Sequence, residues 1–222
     1  MEEHILRIRS INKVTHDVLS IKLDRPPHYE FLPGQATEVA INKPGWIEER
    51  RPFTFTSLPT DQYLEFTIKT YTDHKGVTNE LLSLQAGDEL ILHDVWGAIS
   101  YKGEGLFIAG GAGITPFLSI FRSLNADGKI GHNRLVFANK TEADIIHREE
   151  LEKMLGQQFI NVLSLENKPG MSHGFITEEM IRAQIPNENA RFYVCGPPPM
   201  MDAVQSILTK IGVGDDAIVV EL

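Results

Sequence analysis

The sequence predicts a two-part fold: an antiparallel β unit over residues 1–100, then an α/β doubly wound parallel sheet over residues 101–222. Two observations carry this reading. Residues 1–100 alternate polar and apolar with period two, the pattern of strands with one wet face. From residue 101 the apolar residues run unbroken through each strand, and helical stretches separate the strands. That is the pattern of a parallel sheet covered on both faces. The change falls in the polar, glycine-bearing stretch SYKGEG at 100–105.

In the first half, VLSIKLD sets Leu19, Ile21 and Leu23 against Ser20 and Lys22, and YLEFTIKTY sets Leu64, Phe66 and Ile68 against Glu65, Thr67 and Lys69. Turn signals DRPP (24–27), PGQ (33–35), NKPG (42–45) and AGDE (86–89) separate such runs. Several short strands at this spacing suggest a sandwich or a small barrel. One short helix is expected after Thr78, through NELLSL. In the second half the strands are LFIAG (106–110), RLVFAN (134–139), FINVLSL (159–165), RFYVC (191–195) and AIVVEL (217–222). Helices are expected in ITPFLSIFRSL, EADIIHREELEKML, TEEMIRAQI and MMDAVQSILTKIG. The last puts Val204, Ile207, Leu208 and Ile211 on one stripe, with Gly212 as its C-terminal cap.

Composition bounds the function classes. The net charge of −9 and the lack of any Lys/Arg run longer than two residues argue against nucleic acid as a main partner. The single cysteine, Cys195, excludes an internal disulfide and a four-cysteine iron–sulfur cluster held by this chain. The N-terminus MEEHILRIRS has no apolar h-region, and no apolar run approaches the ~18 residues of a membrane span. A cytoplasmic protein with no membrane partner is expected. The eight histidines show no metal-ligating spacing; they are expected on surfaces and loops, with no metal.

Three stretches point to chemistry. In FIAGGAGITPFLSI (107–120) a buried strand enters a glycine turn that opens a helix, the layout of a phosphate-cradling βα unit. Gly111 and Gly113 fit the first two glycines of G-x-G-x-x-G, but Pro116 stands where the third belongs. Proline just inside a helix is favoured, because its missing N–H is not needed there, and Thr115 before it is expected to be the N-cap. In YVCGPPPMMDAV (193–204) a second buried strand ends in glycine and prolines. Ligands of doubly wound sheets sit at carboxyl strand ends, so both turns are expected to face one crevice. In ERRPFTFTS (49–57), Arg51 offers a bidentate fork for phosphate, Phe53 a flat aromatic face and Thr54 a hydroxyl. Pro52 argues that this strand is an edge or a bulge.

Together these stretches resemble the ferredoxin–NADP reductase superfamily, and the likeness covers essentially the whole chain in order. RPFT (51–54) resembles the family's flavin motif, Arg-x-Tyr/Phe-Ser/Thr, and VTNEL (77–81) its flavin-pyrophosphate segment. GGAGITP (110–116) resembles its nicotinamide-nucleotide turn, and CGPPPM (195–200) its nicotinamide-side motif. The resemblance implies an FAD-binding β-barrel followed by an NAD(P)-binding domain. It assigns Arg51 to the flavin pyrophosphate, Phe53 to stacking on the isoalloxazine and Thr54 to its N5. Pro52, Ile68, Lys69, Gly76, Val77 and Thr78 complete the flavin set, with Thr78 on the other side of the pyrophosphate. Gly110, Gly111, Gly113 and Thr115 are assigned to the NAD(P)H turn, and Cys195, Gly196, Pro197 and Met200 to the nicotinamide side.

Three departures matter. The frequent tyrosine of the flavin motif is Phe53. The family's terminal Glu-x-aromatic is VVEL here, with Glu221 expected near the flavin as a proton relay beside the catalytic candidates Thr54 and Cys195. The Ser-Arg that clamps a 2′-phosphate in NADP-specific members is SLEN (164–167), so NADH is expected over NADPH, although Lys140 or Arg148 could serve the phosphate instead. The resemblance thus implies an FAD-dependent reductase using NAD(P)H and passing electrons to a ferredoxin or flavodoxin, as a monomer or weak dimer. The alternatives are an NAD(P)H:flavin reductase acting on free flavin, or a flavin-bearing electron-transfer or regulatory subunit of a larger enzyme.

Overall fold

A computed structural model describes residues 3–97 and 99–220. The chain falls into two units, Met1–Gly97 and Ala98–Leu222.

The first unit is built from β1 (His4–Thr15), β2 (Val18–Asp24), β3 (Ala36–Ile41), β4 (Arg51–Thr54), β5 (Tyr63–Lys69) and β6 (Glu89–Trp96), with the short helix α1 (Val77–Glu80) between β5 and β6. The order is β4-β3-β6-β1-β2-β5, with every pair antiparallel. An antiparallel bridge, Phe55 to Phe66, joins the chain just past β4 to β5, so the two outer strands meet and the sheet closes as a barrel. The alternating residues fill its interior: Leu19, Ile21, Leu23, Leu64, Phe66 and Ile68 share one buried cluster with Val39, Ile41, Leu90 and Leu92. Phe55 anchors that core, stacked on Phe31 at 4.3 Å between ring centres.

The opposite face of β2 and β5 is polar, yet its middle is out of water. Ser20, Glu65 and Thr67 are buried, and Ser20 donates to the Glu65 carboxylate at 2.6 Å. Mutual hydrogen bonding lets polar side chains keep the strand alternation while leaving water. His93 on β6 likewise departs from the surface expectation. It is buried, its ring nitrogens have no hydrogen-bond partner among the described residues, and the Glu3 carboxylate lies 3.7 Å from Nδ1.

The second unit has the predicted rhythm: β7 (Gly105–Gly110), α2 (Thr115–Ala126), β8 (Arg134–Asn139), α3 (Arg148–Leu155), β9 (Phe159–Leu163), the two-residue β10 (Ser172–His173), α4 (Glu178–Gln184), β11 (Arg191–Cys195), α5 (Pro198–Lys210) and β12 (Ile218–Val220). The sheet runs β10-β9-β8-β7-β11-β12, and all its pairs are parallel. Leu106, Ile108, Val136, Val162 and Val194 meet Ile181 of α4 and Val204 and Leu208 of α5 in one core. On the other face Phe107 packs on Phe117 and Phe121 of α2, at 5.1 and 4.6 Å between ring centres. Both faces are covered, which is why the strands read as continuous apolar runs. Gly212 caps α5 as expected, at φ +86 with Val213 N–H returning to the Leu208 carbonyl.

One expected helix is broken. EADIIHREELEKML forms a 3-10 turn at Glu142–Asp144, then extended backbone at Ile145, and α3 begins only at Arg148. Thr141 and Asp144 close a capping box around the first turn, and His147 enters α3 in the left-handed region at φ 50. The break sends Ile145 and Ile146, adjacent in sequence, both into the interior.

Candidate functional site

The strand order locates the nucleotide crevice of the second unit. From β7 the chain winds outward through β8 and β9, then returns to place β11 on the other side of β7. The reversal lies between β7 and β11, and a doubly wound sheet binds ligands at the carboxyl ends of the strands beside such a switch point. Cys195 pairs in register with Ala109, so GGAGITP and CGPPPM leave neighbouring strands side by side.

The two turns interlock through their glycines. A methyl group at Gly113 would lie 2.3 Å from the Cys195 carbonyl oxygen and 2.6 Å from the Gly196 nitrogen. One at Gly196 would meet the Gly110 nitrogen at 3.0 Å, and one at Gly110 would meet Met200 Sδ at 2.5 Å and Pro197 Cδ at 3.0 Å. Gly110, Gly113, Gly196, Pro197 and Met200 therefore build the wall of the crevice by packing on one another. Gly111 differs: it holds φ +51, with open space where a side chain would stand. Its glycine is needed for the backbone turn, and the space above it is free for a ligand.

Thr115 is not the N-cap. A 3-10 turn at Gly111–Ile114 runs straight into α2, so Thr115 is already helical and its hydroxyl donates to the Ala112 carbonyl at 3.0 Å. Pro116 sits in the first turn of α2 as expected. Cys195 is buried at the carboxyl end of β11.

Two residues escaped the sequence reading. Asn139 ends β8, buried, and its amide nitrogen has no hydrogen-bond partner among the described residues. A buried donor left unpaired is costly, and this one lies one register step beyond the Gly110–Ala138 pair. Phe175 follows β10 and is 82% exposed, and Leu165, after the adjacent strand β9, is 70% exposed. Exposed apolar side chains at carboxyl strand ends offer a platform for an aromatic base.

The RPFT stretch of the first unit forms β4, which the main ladder pairs only with β3. Pro52 is therefore at an edge, where its missing N–H costs no ladder bond. Phe53 is half-buried against the barrel core, Thr54 is buried, and the Arg51 side chain is 47% exposed beside Glu49 at 3.3 Å. A surface pair of this kind is worth about 0–1 kcal/mol, so a phosphate can displace Glu49. At α1, the Gly76 carbonyl accepts from the Asn79 and Glu80 amides, which leaves the Val77 and Thr78 amides at the open end of the helix. The Val77 and Ile68 side chains are in the core and anchor the backbone without facing solvent. Lys69 is held by Asp17 at 2.5 Å. Burial pushes the Asp17 carboxyl up, but hydrogen bonds from Lys69 and Thr15 and the charge of Lys69 outweigh it and keep it below the usual 3.8. Glu221 lies outside the described residues.

An FAD-binding domain family matches residues 4–120, and an oxidoreductase NAD-binding domain family matches residues 107–206. The chain belongs to the ferredoxin–NADP reductase-like oxidoreductases. It is 32% identical to the reductase component of propane 2-monooxygenase from Rhodococcus jostii, over 96% of this chain and 61% of that protein. It is 30% identical to NADH-cytochrome b5 reductase 1 of Rattus norvegicus, over 95% of this chain and 83% of that one. The ferredoxin NADP+ reductase of Neisseria gonorrhoeae, solved with bound FAD and NADP, shares the fold at a TM-score of 0.84 with 19% identity, covering 100% of this chain and 98% of that one. The chain spans 61% to 65% of the length of three propane 2-monooxygenase reductase components that it matches. This ferredoxin–NADP reductase-like chain thus has the two-domain architecture with FAD- and NAD-binding domains. Among its described residues, no helix is long and apolar enough to cross a membrane.

Proposed function

We propose that this chain takes electrons from NADH onto FAD and passes them to a small carrier protein of the ferredoxin or flavodoxin kind. The observation that carries the reading is the presence of an FAD-binding and an NAD-binding domain in one chain. The relatives named as reductase components and as cytochrome b5 reductases support it. FAD, when bound, accepts a hydride and gives electrons up singly or in pairs. The protein supplies position and electrostatics. Arg51 and the amides of Val77 and Thr78 hold the pyrophosphate, Phe53 offers its face to the ring system, and Thr54 presents a hydroxyl to it. In the second unit, the Gly111 turn and the N-terminus of α2 receive the pyrophosphate of NADH, while Cys195 lines the nicotinamide side. NADH is favoured over NADPH because Arg148, a cation that could take a 2′-phosphate, is already paired with Glu142 and Glu152.

Anaerobic titration of the purified protein with NADH, followed at the flavin absorption band, tests this reading. Stoichiometric bleaching is expected. A protein that stays colourless when FAD is added overturns it. If bleaching occurs but reoxidation needs free flavin, and no ferredoxin or flavodoxin accepts the electrons, the carrier assignment falls.

A further inference from the structure

Beyond β8, three chain segments converge on one charged cluster. Glu142 opens the 3-10 turn that follows Thr141, Arg148 starts α3, and Glu166 and Lys168 follow β9. The Glu142 carboxylate takes Arg148 on one oxygen and Lys168 on the other, the latter at 3.2 Å. Arg148 also holds Glu152 at 2.7 Å. The backbone amide of Glu142 donates to the Glu166 carboxylate at 2.9 Å, and the His173 ring Nδ1 lies 2.8 Å from the Glu166 carbonyl oxygen. The Thr141–Asp144 capping box fixes the turn that carries Glu142. The Arg148 guanidinium, with Lys168, holds the Glu142 carboxyl below its ordinary range, so Glu142 is an anion at neutral pH.

The cluster sits at the carboxyl ends of β8 and β9, two and three places into the winding that starts from β7. In doubly wound sheets the far ribose of a dinucleotide meets the chain in this region. An acidic residue there suits a free 2′-hydroxyl, and an arginine suits a 2′-phosphate. Here the acid and the arginine are both present. Among the described residues, Glu166 has one oxygen on a backbone amide, which leaves the other for a hydroxyl. Arg148 and Lys168 would serve a phosphate, but a carboxylate of the protein already bridges them.

We propose that Glu142 is the residue that sets the preference for NADH. It acts as a built-in anion on Arg148 and Lys168, in the place a 2′-phosphate would need. A bound 2′-phosphate must displace Glu142 and then face its charge. This rests on the NADH reading above. Lys140 is exposed and is not part of the bridge.

The test is equilibrium binding by isothermal titration, with 5′-AMP and adenosine 2′,5′-bisphosphate as probes, so that no electron transfer is needed. In Glu142→Gln, and again in Glu142→Ala, the ratio of the bisphosphate Kd to the 5′-AMP Kd is expected to fall at least tenfold. Adding Arg148→Ala should cancel that gain, and adding Lys140→Ala should leave it. If both variants bind 5′-AMP and the ratio is unmoved, the role of Glu142 is overturned while the nucleotide site stands. A gain that survives Arg148→Ala and disappears with Lys140→Ala overturns it too. If the parent protein binds neither probe nor NADH, the reading beneath it falls as well.

Discussion

Replacing Gly113 with alanine adds one methyl group where the structure leaves no room. That methyl would stand 2.3 Å from the Cys195 carbonyl oxygen, 2.5 Å from the Cys195 carbonyl carbon and 2.6 Å from the Gly196 nitrogen. Non-bonded heavy atoms rest at about 3.5–4.0 Å, so each contact is short by about 1 Å. All three neighbours are backbone, and no side chain can swing aside. Overpacking costs about 1–3 kcal/mol when side chains can adjust, so about 3 kcal/mol is expected here. For a chain of this size that lowers Tm by about 6–12 °C. Gly111→Ala is the control. Its site is open but held at φ +51, and the left-handed penalty is about 1–2 kcal/mol. Calorimetry of the two variants should rank Gly113→Ala as the more damaging, and a 5′-AMP titration should show the crevice weakened in the same variant. If Gly113→Ala melts with the parent, or melts above Gly111→Ala, the interlocking of the two turns is refuted.

Arg51→Ala should weaken FAD binding about tenfold or more, since charge-assisted hydrogen bonds contribute about 1.5–3 kcal/mol. The melting of the apoprotein should not change, because Arg51 bonds only at the surface, to the Glu49 carboxylate and the neighbouring Arg50 carbonyl; flavin fluorescence and calorimetry read the two effects. Phe175→Ala should raise KM for NADH and leave kcat alone, because base–aromatic stacking contributes about 1–3 kcal/mol to binding; a fall in kcat at unchanged KM would remove Phe175 from the binding platform. Asp17→Asn should destabilise the protein in a pH-dependent way. Asp17 has its pKa below 3.8 in the folded protein, so its contribution is complete above about pH 5 and fades as pH falls through the folded value. Urea unfolding of parent and variant should show a constant gap at higher pH that closes below pH 3.8. A gap that widens in acid would contradict the Lys69 pairing.

Both halves of the fold were legible because their periodicities differ in kind. Ile21, Leu23 and Phe66 alternate into a barrel core, while LFIAG and the LVFA of RLVFAN are unbroken apolar runs in a sheet covered on both faces. The break at Ile145 was not legible, because apolar spacing cannot register that Thr141 and Asp144 close a turn on each other. Burial of Ser20 and Glu65 was hidden for a related reason: a polar residue reads as wet until its partner, here 45 positions away, is known. The GGAGITP turn stood out in the sequence, but not the division of labour among its glycines. Whether a glycine is needed for its φ, as at Gly111, or for a close neighbour, as at Gly113, depends on a strand some eighty residues later. Phe175 was missed because pattern reading sends aromatics inward, and Asn139 because an unpaired amide leaves no mark on the sequence.

The strand order has a consequence for how the second unit assembles. β7 is made early and β11 late, yet they lie side by side, with β12 outside β11. While the ribosome has reached only β9, β7 can pair with β8, but the space reserved for β11 is an open edge and the glycine turn has no opposite wall. Nucleotide affinity should therefore arise in one late step, when the final strands insert, and not grow gradually with chain length. Contacts between such distant segments form slowly, so until that step the apolar flank of β7 is the part of the nascent unit most exposed to mispairing.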